Sequence, residues 1–214
     1  MNNIVNTAPI DTTLLNHECL GVVLAGGLST RMGNDKAKLV RGNNSPQSML
    51  AFSKQTLTNS GINNIVVSGD HYDIPDQVKR CGPVGGIFSV LTKYPNAKSL
   101  LILPVDLPFM TAKALTDLRV KGELSQKATY FEGHNIPLYL PNSAYVELFL
   151  SHTFADNLTN EHIQLNNGEA IKGPSIKALL KNIPHQAIPI NDKAVLFNTN
   201  TPEQWQQAKQ QLNF

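Results

Sequence analysis

The sequence has little charge, few cysteines and no long hydrophobic run. Only 16% of its 214 residues are charged, the formal net charge is +2, and Lys and Arg form no stripe of the kind that binds nucleic acid. Cys19 and Cys81 are the only cysteines and lack metal-ligand spacing, so we expect reduced thiols in a cytoplasmic protein rather than a disulfide. No run is long enough to span a bilayer, and the N-terminus does not resemble a signal peptide. These absences argue against nucleic-acid-binding, secreted and membrane proteins.

The hydrophobic residues, 41% of the chain, are arranged in short runs that alternate with amphipathic segments. We expect residues 1–18, which are polar and without periodicity, to form a flexible tail, and residues 19–214 to form a single domain. Five runs have the length and β-branching of buried strands, at residues 20–25, 65–67, 100–103, 128–131 and 136–140. Two shorter segments, at residues 187–190 and 194–197, are expected to be edge strands.

Helical patterns lie between these runs. Ser45 followed by Pro46 predicts a helix start, and Gly61 predicts its end. Apolar residues at helical spacing predict further helices over residues 84–91, 111–118 and 176–183, and a capping-box pattern opens the last one at residue 201. The Asn-rich segment 151–174 is expected to be a mobile loop. This alternation indicates an α/β fold with a mostly parallel sheet, in which ligands bind at the carboxyl ends of the strands.

The segment after the first predicted strand, residues 24–36, has the residue types that bind phosphate. Gly26 and Gly27 allow the backbone to approach a ligand with its N–H groups exposed. Ser29 and Thr30 add hydroxyl groups. Arg31 and Lys36 add cations suited to a triphosphate and a leaving pyrophosphate. A glycine turn with two solvated cations is the alternative, but this combination directly after a buried strand favours phosphate binding.

Two other strand ends carry candidate ligand contacts. Asp106 follows the run at residues 100–103, where a carboxylate could coordinate Mg²⁺ or form a local turn before Pro108; the phosphate loop favours the metal. Gly82 and Pro83 begin a predicted helix, where small residues let a base or ribose lie against the backbone. A tight turn that permits close helix–sheet packing is nearly as good an explanation of these two residues.

Four motifs, in this order, resemble those of the molybdenum cofactor guanylyltransferases. This family belongs to the nucleotidyltransferase superfamily, which has a Rossmann-like fold, and the resemblance implies a three-layer α/β/α sandwich. The motifs are Leu24-Ala-Gly-Gly-x3-Arg-Met-Gly-x-Asp-Lys36, Gly82-Pro-Val-Gly-Gly-Ile87, Asp106-Leu-Pro108 and Asn198-Thr-Asn200-Thr-Pro202.

The resemblance also implies roles for particular residues. It places Arg31, Lys36 and Asp106 in catalysis, with Asp106 as the metal ligand. The nucleotide-binding residues that it implies are Leu24, Ala25, Gly26, Gly27, Lys36, Ser68, Asp76, Gly82, Pro83 and Asp106. His134, Asn198 and Asn200 are expected on the acceptor side. Ser68 could equally be an exposed turn residue, and the two asparagines could serve only as turn or cap residues.

By the same resemblance, the reaction joins a nucleotide to a phosphorylated acceptor. The implied donor is GTP with Mg²⁺, the acceptor is molybdenum-loaded molybdopterin, and the guanine dinucleotide product passes to molybdoenzymes or their chaperones. A phosphate nucleophile is already anionic, so no strong general base is needed. The alternatives are a nucleotidyltransferase that uses CTP or a sugar-phosphate acceptor, and a non-catalytic partner of molybdoenzymes that binds nucleotide or pterin.

Overall fold

A six-stranded sheet forms the middle layer of the protein. The computed structural model describes residues 18–26, 35–41, 46–159 and 173–212. Within these ranges the sheet consists of β1 (Cys19–Leu24), β4 (Ile65–Ser68), β5 (Ser99–Pro104), β6 (Ala128–Phe131), β7 (Leu138–Pro141) and β8 (His185–Ile188). A separate antiparallel pair consists of β2 (Val40–Arg41) and β3 (Gln47–Ser48).

Helices cover both faces of the sheet. In chain order they are α1 (Met49–Asn59), α2 (Gly82–Lys93), α3 (Ala112–Ser125), α4 (Ala144–Thr159), α5 (Ile176–Lys181) and α6 (Pro202–Gln211). Two short 3-10 helices, Lys36–Lys38 and Lys193–Leu196, complete the regular structure of the described ranges.

The strand directions bring most strand ends to one edge of the sheet. The strand order is β4-β1-β5-β7-β6-β8. β1 is parallel to β4 and β5, β7 is antiparallel to β5 and β6, and β8 is parallel to β6. Because β7 alone is reversed among these six, the other five strands end at the same edge. The predicted mostly parallel sheet is confirmed, and this edge is where ligands are expected to bind.

Alternation along each strand sends apolar side chains to both faces. On one face, Leu20, Val22 and Leu24 of β1 pack with residues of α2, α4 and α5, including Ile87 and Phe154. On the other face, strand residues pack with α1, α3 and α6, and this second cluster includes Val23, Leu103, Leu115 and Trp205. Two apolar clusters on one sheet make a three-layer α/β/α sandwich, as predicted.

Side-chain caps determine where several helices begin. Thr111 and Thr201 accept hydrogen bonds from the first turns of α3 and α6, and Thr201 forms the predicted capping box with Gln204. The predicted start of α1 at Ser45 and Pro46 was three residues early, since Ser48 Oγ accepts from Ala51 N and the helix begins at Met49. Ser45 itself lies outside the described residues.

Two further expectations differ from the structure. Residues 194–197 were expected to be a strand, but Lys193–Leu196 form a 3-10 helix because the Asp192 side chain accepts from Ala194 N and caps that turn. Residues 151–159 continue α4 rather than form a loop, since Phe154 is anchored in the core beside Phe88. The rest of that predicted loop, residues 160–172, lies outside the described residues, as does the predicted tail up to residue 17.

The described structure contains no disulfide, because Cys19 and Cys81 are both free thiols. Burial raises the pKa of each thiol, and a protonated thiol is a poor nucleophile and metal ligand. Across the ranges described above, we find no helix with the length and apolarity needed to cross a membrane.

Gly122 of α3 faces the ring of Tyr139 on β7, and replacing it with alanine is expected to destabilise the protein. A methyl group there would overlap that ring, and Tyr139 is buried. Alanine normally stabilises a helix interior relative to glycine by about 1 kcal/mol, whereas overpacking costs about 1–3 kcal/mol. Urea unfolding of Gly122→Ala should therefore show a net loss of stability. The neighbouring exposed variant Lys121→Ala should change it by less than about 0.5 kcal/mol, and a stabilised Gly122→Ala would contradict this packing.

Candidate functional site

A cleft of about 180 Å³ opens at the carboxyl edge of the sheet. It lies between the ends of β1 and β5, the start of α2 and the segment before α6. Its lining includes residues at the start of the predicted phosphate-binding segment, the cation Lys36 and the carboxylate Asp106. The lining residues are Leu24, Ala25, Gly26, Lys36, Pro83, Pro104, Val105, Asp106, Ile136 and Asn198.

The turn after β1 is held against the turn after β4. The backbone N–H groups of Ala25 and Gly26 both donate to the carbonyl of Ser68, at 2.9 and 3.0 Å. A Cβ at Gly69 would lie 2.8 Å from the nitrogen of Gly26, and the φ of Gly69 is +151°. The approach of these two turns therefore requires glycine at position 69, a residue that the sequence analysis did not single out.

Ser68 supports this turn from beneath. Its side chain is 2% exposed, and its hydroxyl oxygen would lie only 2.6 Å from a Cβ at Gly86. This burial excludes the alternative that Ser68 is an exposed turn residue. The side chain does not line the cleft, and its carbonyl is the group that organises Ala25 and Gly26.

Lys36 crosses the cleft to two residues that are distant in sequence. Its Nζ donates to Asp106 Oδ2 at 3.0 Å and to Asn200 Oδ1 at 2.7 Å. The side chains of Lys36 and Asp106 are only 17% and 15% exposed, so this ion pair is screened much less than the surface pairs. Three residues that the sequence analysis selected from separate motifs are thus brought into direct contact.

Two oxygen atoms at the floor of the cleft remain unpaired among the described residues. They are Asp106 Oδ1 and Asn198 Oδ1, both buried without a hydrogen-bond donor. Thr199, which is buried between the two asparagines, donates to the carbonyl of Asp106 from its backbone N–H at 3.0 Å and from its hydroxyl at 3.2 Å. This contact fixes the segment that carries Asn198 and Asn200 against the end of β5.

Unpaired carboxylate and amide oxygens suit a hard divalent cation. Within the residues described, no group of three or more His, Cys, Asp or Glu side chains could hold a metal ion. Mg²⁺ commonly takes one or two protein oxygens and completes its shell with water and substrate phosphate. The carboxylate and amide oxygens left without a donor are of the type that such an ion takes as ligands.

Asp76 and the start of α2 lie at one side of the cleft. Asp76 Oδ2 would lie 3.7 Å from a Cβ at Gly26, which places this carboxylate beside the cleft. Burial, and next the negative charge of Asp70, raise the pKa of Asp76, while Lys79 opposes the shift. Gly82, whose φ is +58°, and Pro83 open α2 with no side-chain cap. The first-turn N–H groups of α2 therefore have no side-chain acceptor at the cap position.

Not every expected site residue that the structure describes lines the cleft. Those outside its lining are Ser68, Asp76, Gly82, His134 and Asn200. His134 is exposed, its backbone N–H donates to the Phe131 carbonyl at 3.0 Å, and Ile136 is the residue of this connection that lines the cleft. Gly27 and Arg31 lie outside the described residues.

Asp35 and Tyr72 are neighbours of Lys36 that the sequence analysis did not assign to the site. Asp35 lies within the first motif, so the motif could have indicated it as a site residue. Nothing in the sequence indicated Tyr72. The Tyr72 hydroxyl donates to Asp35 Oδ2 at 2.9 Å. Burial, and next the hydrogen bond to Asp35, raise the pKa of Tyr72 to about 12, so the hydroxyl keeps its proton at neutral pH.

Comparison with known proteins gives a consistent family assignment. Residues 21–152 match the model of the MobA-like NTP transferase domain. A molybdenum cofactor guanylyltransferase of Xanthomonas euvesicatoria pv. vesicatoria is 32% identical over 191 residues, which are 86% of this chain and 91% of the relative. One from Rhizobium meliloti is 27% identical and covers 90% and 91% of the two chains.

A solved structure shows the same fold. It is the molybdopterin-guanine dinucleotide biosynthesis protein A of Archaeoglobus fulgidus, with a TM-score of 0.65 at 19% identity, covering 89% of this chain and 97% of that one. The family model extends across residues 24–36, the start of α2 and the end of β5, which border the cleft. The chain is a nucleotidyltransferase and belongs to the MobA-like NTP transferase family, together with the molybdenum cofactor guanylyltransferases.

Proposed function

We propose that this enzyme transfers GMP from GTP to the terminal phosphate of molybdenum-loaded molybdopterin and releases pyrophosphate. The names of the curated relatives support this donor and acceptor. The single observation that carries the proposal is the arrangement of Lys36, Asp106 and Asn198, which places one ammonium group and two unpaired oxygens at the floor of the cleft.

The proposed reaction is a direct displacement at the α-phosphorus. A phosphate oxygen of the acceptor forms the new P–O bond while the bond from the α-phosphorus to the bridging oxygen of the β-phosphate breaks, and its electron pair leaves with pyrophosphate. The nucleophile is already an anion, so no side chain has to remove a proton. Catalysis then depends on positioning and on stabilising negative charge.

The proposed site residues have different tasks in this scheme. The N–H groups of Ala25 and Gly26 already donate to Ser68, so the phosphate donors are proposed to come from the loop that follows Gly26. Lys36 stabilises the charge that develops on the leaving pyrophosphate. Arg31 is proposed to assist Lys36. Asp106 and Asn198 would hold Mg²⁺, which when bound offsets charge on the triphosphate oxygens.

The base would lie between the turn after β1 and the start of α2. Guanine offers two adjacent N–H donors along one edge, and a carboxylate can accept from both. Asp76 lies beside Gly26 at this wall, so we propose that it accepts from guanine while the backbone at Gly82 and Pro83 packs against the nucleoside. His134 and Asn200 are also proposed to act on the acceptor side, although neither lines the cleft itself.

Pyrophosphate release tests this function directly. With Mg²⁺ and molybdenum-loaded molybdopterin, we expect release with GTP and little with CTP, ATP or UTP. Release with CTP instead would keep the chemistry and overturn the donor, and release only with a sugar phosphate would overturn the acceptor. Binding of both substrates without release would indicate a non-catalytic partner of molybdoenzymes. EDTA should abolish release, and added Mg²⁺ should restore it.

We further propose that the reaction takes place in the cytoplasm and that its product passes to molybdoenzymes or their chaperones. The two free thiols are typical of a reducing compartment. The low net charge of +2 gives no support to binding of nucleic acid or of an anionic membrane surface.

A further inference from the structure

We propose that Tyr72 is a positioning residue that holds Lys36 in its catalytic place through Asp35. This inference rests on the proposed role of Lys36 at the leaving pyrophosphate. Tyr72 does not line the cleft, and it lies outside the four motifs that resemble the family. The hydrogen bond from Tyr72 to Asp35, one residue before Lys36, carries the inference.

Asp35 uses its two carboxylate oxygens for two different purposes. Oδ1 accepts from the backbone N–H of Ala37 at 3.0 Å and caps the 3-10 turn that begins at Lys36. Oδ2 accepts from the Tyr72 hydroxyl at 2.9 Å. The direction in which Lys36 leaves the backbone depends on this capped turn, because a three-residue helix has little stability of its own.

Tyr72 is itself held firmly by the turn after β4. Its backbone N–H donates to the carbonyl of Gly69 at 3.0 Å, and Asp73 Oδ2 accepts from Val67 N at 2.9 Å. The Tyr72 ring lies so close to Gly69 that a Cβ there would be 3.0 Å from Cδ2. The turn after β4 therefore fixes the position of the hydroxyl that donates to Asp35.

The other contact of Asp35 cannot replace this one. Lys38 Nζ lies 3.8 Å from Asp35 Oδ2, but the Lys38 side chain is 82% exposed, and exposed ion pairs hold side chains weakly. The Tyr72 ring packs against the second apolar cluster, and only its hydroxyl donates to Asp35. A substitution that removes only the hydroxyl therefore tests the positioning of Lys36 while the packing of the ring is kept.

The variant Tyr72→Phe tests the proposal. A hydrogen bond to a charged group is worth roughly a tenfold change, so we expect kcat for pyrophosphate release to fall about tenfold while KM for GTP changes less than twofold. The melting temperature should stay close to that of the wild type. Tyr145→Phe, at an exposed tyrosine of α4, should leave kcat, KM and melting temperature unchanged. A kcat for Tyr72→Phe equal to that of the wild type would overturn the proposal.

A double-mutant cycle with Lys36→Met distinguishes positioning from a general structural effect. If Tyr72 acts through Lys36, Tyr72→Phe should cost almost nothing in the Lys36→Met background. A tenfold loss in both backgrounds would overturn the proposed link.

An NMR measurement without substrate tests the link between Tyr72 and Lys36 independently of the proposed function. In ¹⁵N-lysine spectra, the Lys36 Nζ signal, assigned by its loss in Lys36→Met, should show faster proton exchange in Tyr72→Phe and not in Tyr145→Phe. An unchanged Lys36 signal would overturn the link whatever reaction the enzyme catalyses. A changed signal in an enzyme that does not use GTP would support the link and refute only the proposed donor.

Discussion

Replacing Lys36 with methionine should lower the rate of pyrophosphate release by a factor on the order of 10²–10³. Methionine keeps an unbranched side chain of similar length but removes the ammonium group that contacts Asp106 and Asn200. The lost charge cannot be replaced by water in a cleft where the Lys36 side chain is only 17% exposed. Steady-state pyrophosphate release with saturating GTP and acceptor measures the effect.

Lys38→Met is the matched control for this variant. Lys38 lies on the same 3-10 turn, and its side chain is 82% exposed and outside the cleft. We expect its kcat to stay within about twofold of the wild type, because substitutions at exposed positions usually have small effects. Near-normal turnover by a folded Lys36→Met protein would refute the catalytic role of Lys36.

The second large effect is expected for Asp106→Asn, with a loss of activity on the order of 10³-fold. Asparagine has the same shape but no charge, so it is expected to bind a divalent cation more weakly, and it removes the ion pair with Lys36. The binding of Mn²⁺ in the presence of GTP, followed by electron paramagnetic resonance, should weaken in parallel with the rate.

Asp117→Asn provides the same chemical change at an exposed position. Asp117 pairs with Lys113 on the surface of α3, where ion pairs contribute about 0–1 kcal/mol. It should keep normal activity and Mn²⁺ binding. If Asp106→Asn retained both properties as well, the cation would have to be held elsewhere, and the proposed site would be wrong.

The parts of the fold that the sequence predicts well are those determined by local pattern. Short β-branched runs correctly predicted the main strands, and the capping box at Thr201 correctly predicted the start of α6. Errors occurred where an isolated side chain decides the outcome. Asp192 caps a 3-10 turn in a segment that has the composition of a strand, and burial of Phe154 extends α4 into a polar stretch.

The meeting of Lys36, Asp106 and Asn200 could be predicted only in part. Parallel strands place the ends of β1 and β5 at one edge, so proximity of the first motif and Asp106 follows from the fold class. The approach of Asn200 depends on Thr199 binding the Asp106 carbonyl, a contact between residues 93 positions apart. Tyr72 could not be predicted at all, because its hydroxyl reaches Asp35 through a turn whose shape has no sequence signature.

The contact between Thr199 and Asp106 has a consequence for the order in which the enzyme becomes competent. β1, β4 and β5 all precede residue 105, so a nascent chain can bring the ends of these strands together early. Asn198 and Asn200 reach the cleft only when the segment before α6 has been synthesised and docked, and the Gln204 side chain then holds Asn200 by accepting from its backbone N–H at 2.7 Å. Under the proposed roles, docking of α6 is therefore the last step in assembling the site. Fraying of α6 in the folded enzyme is expected to displace the two asparagines while the sheet stays folded.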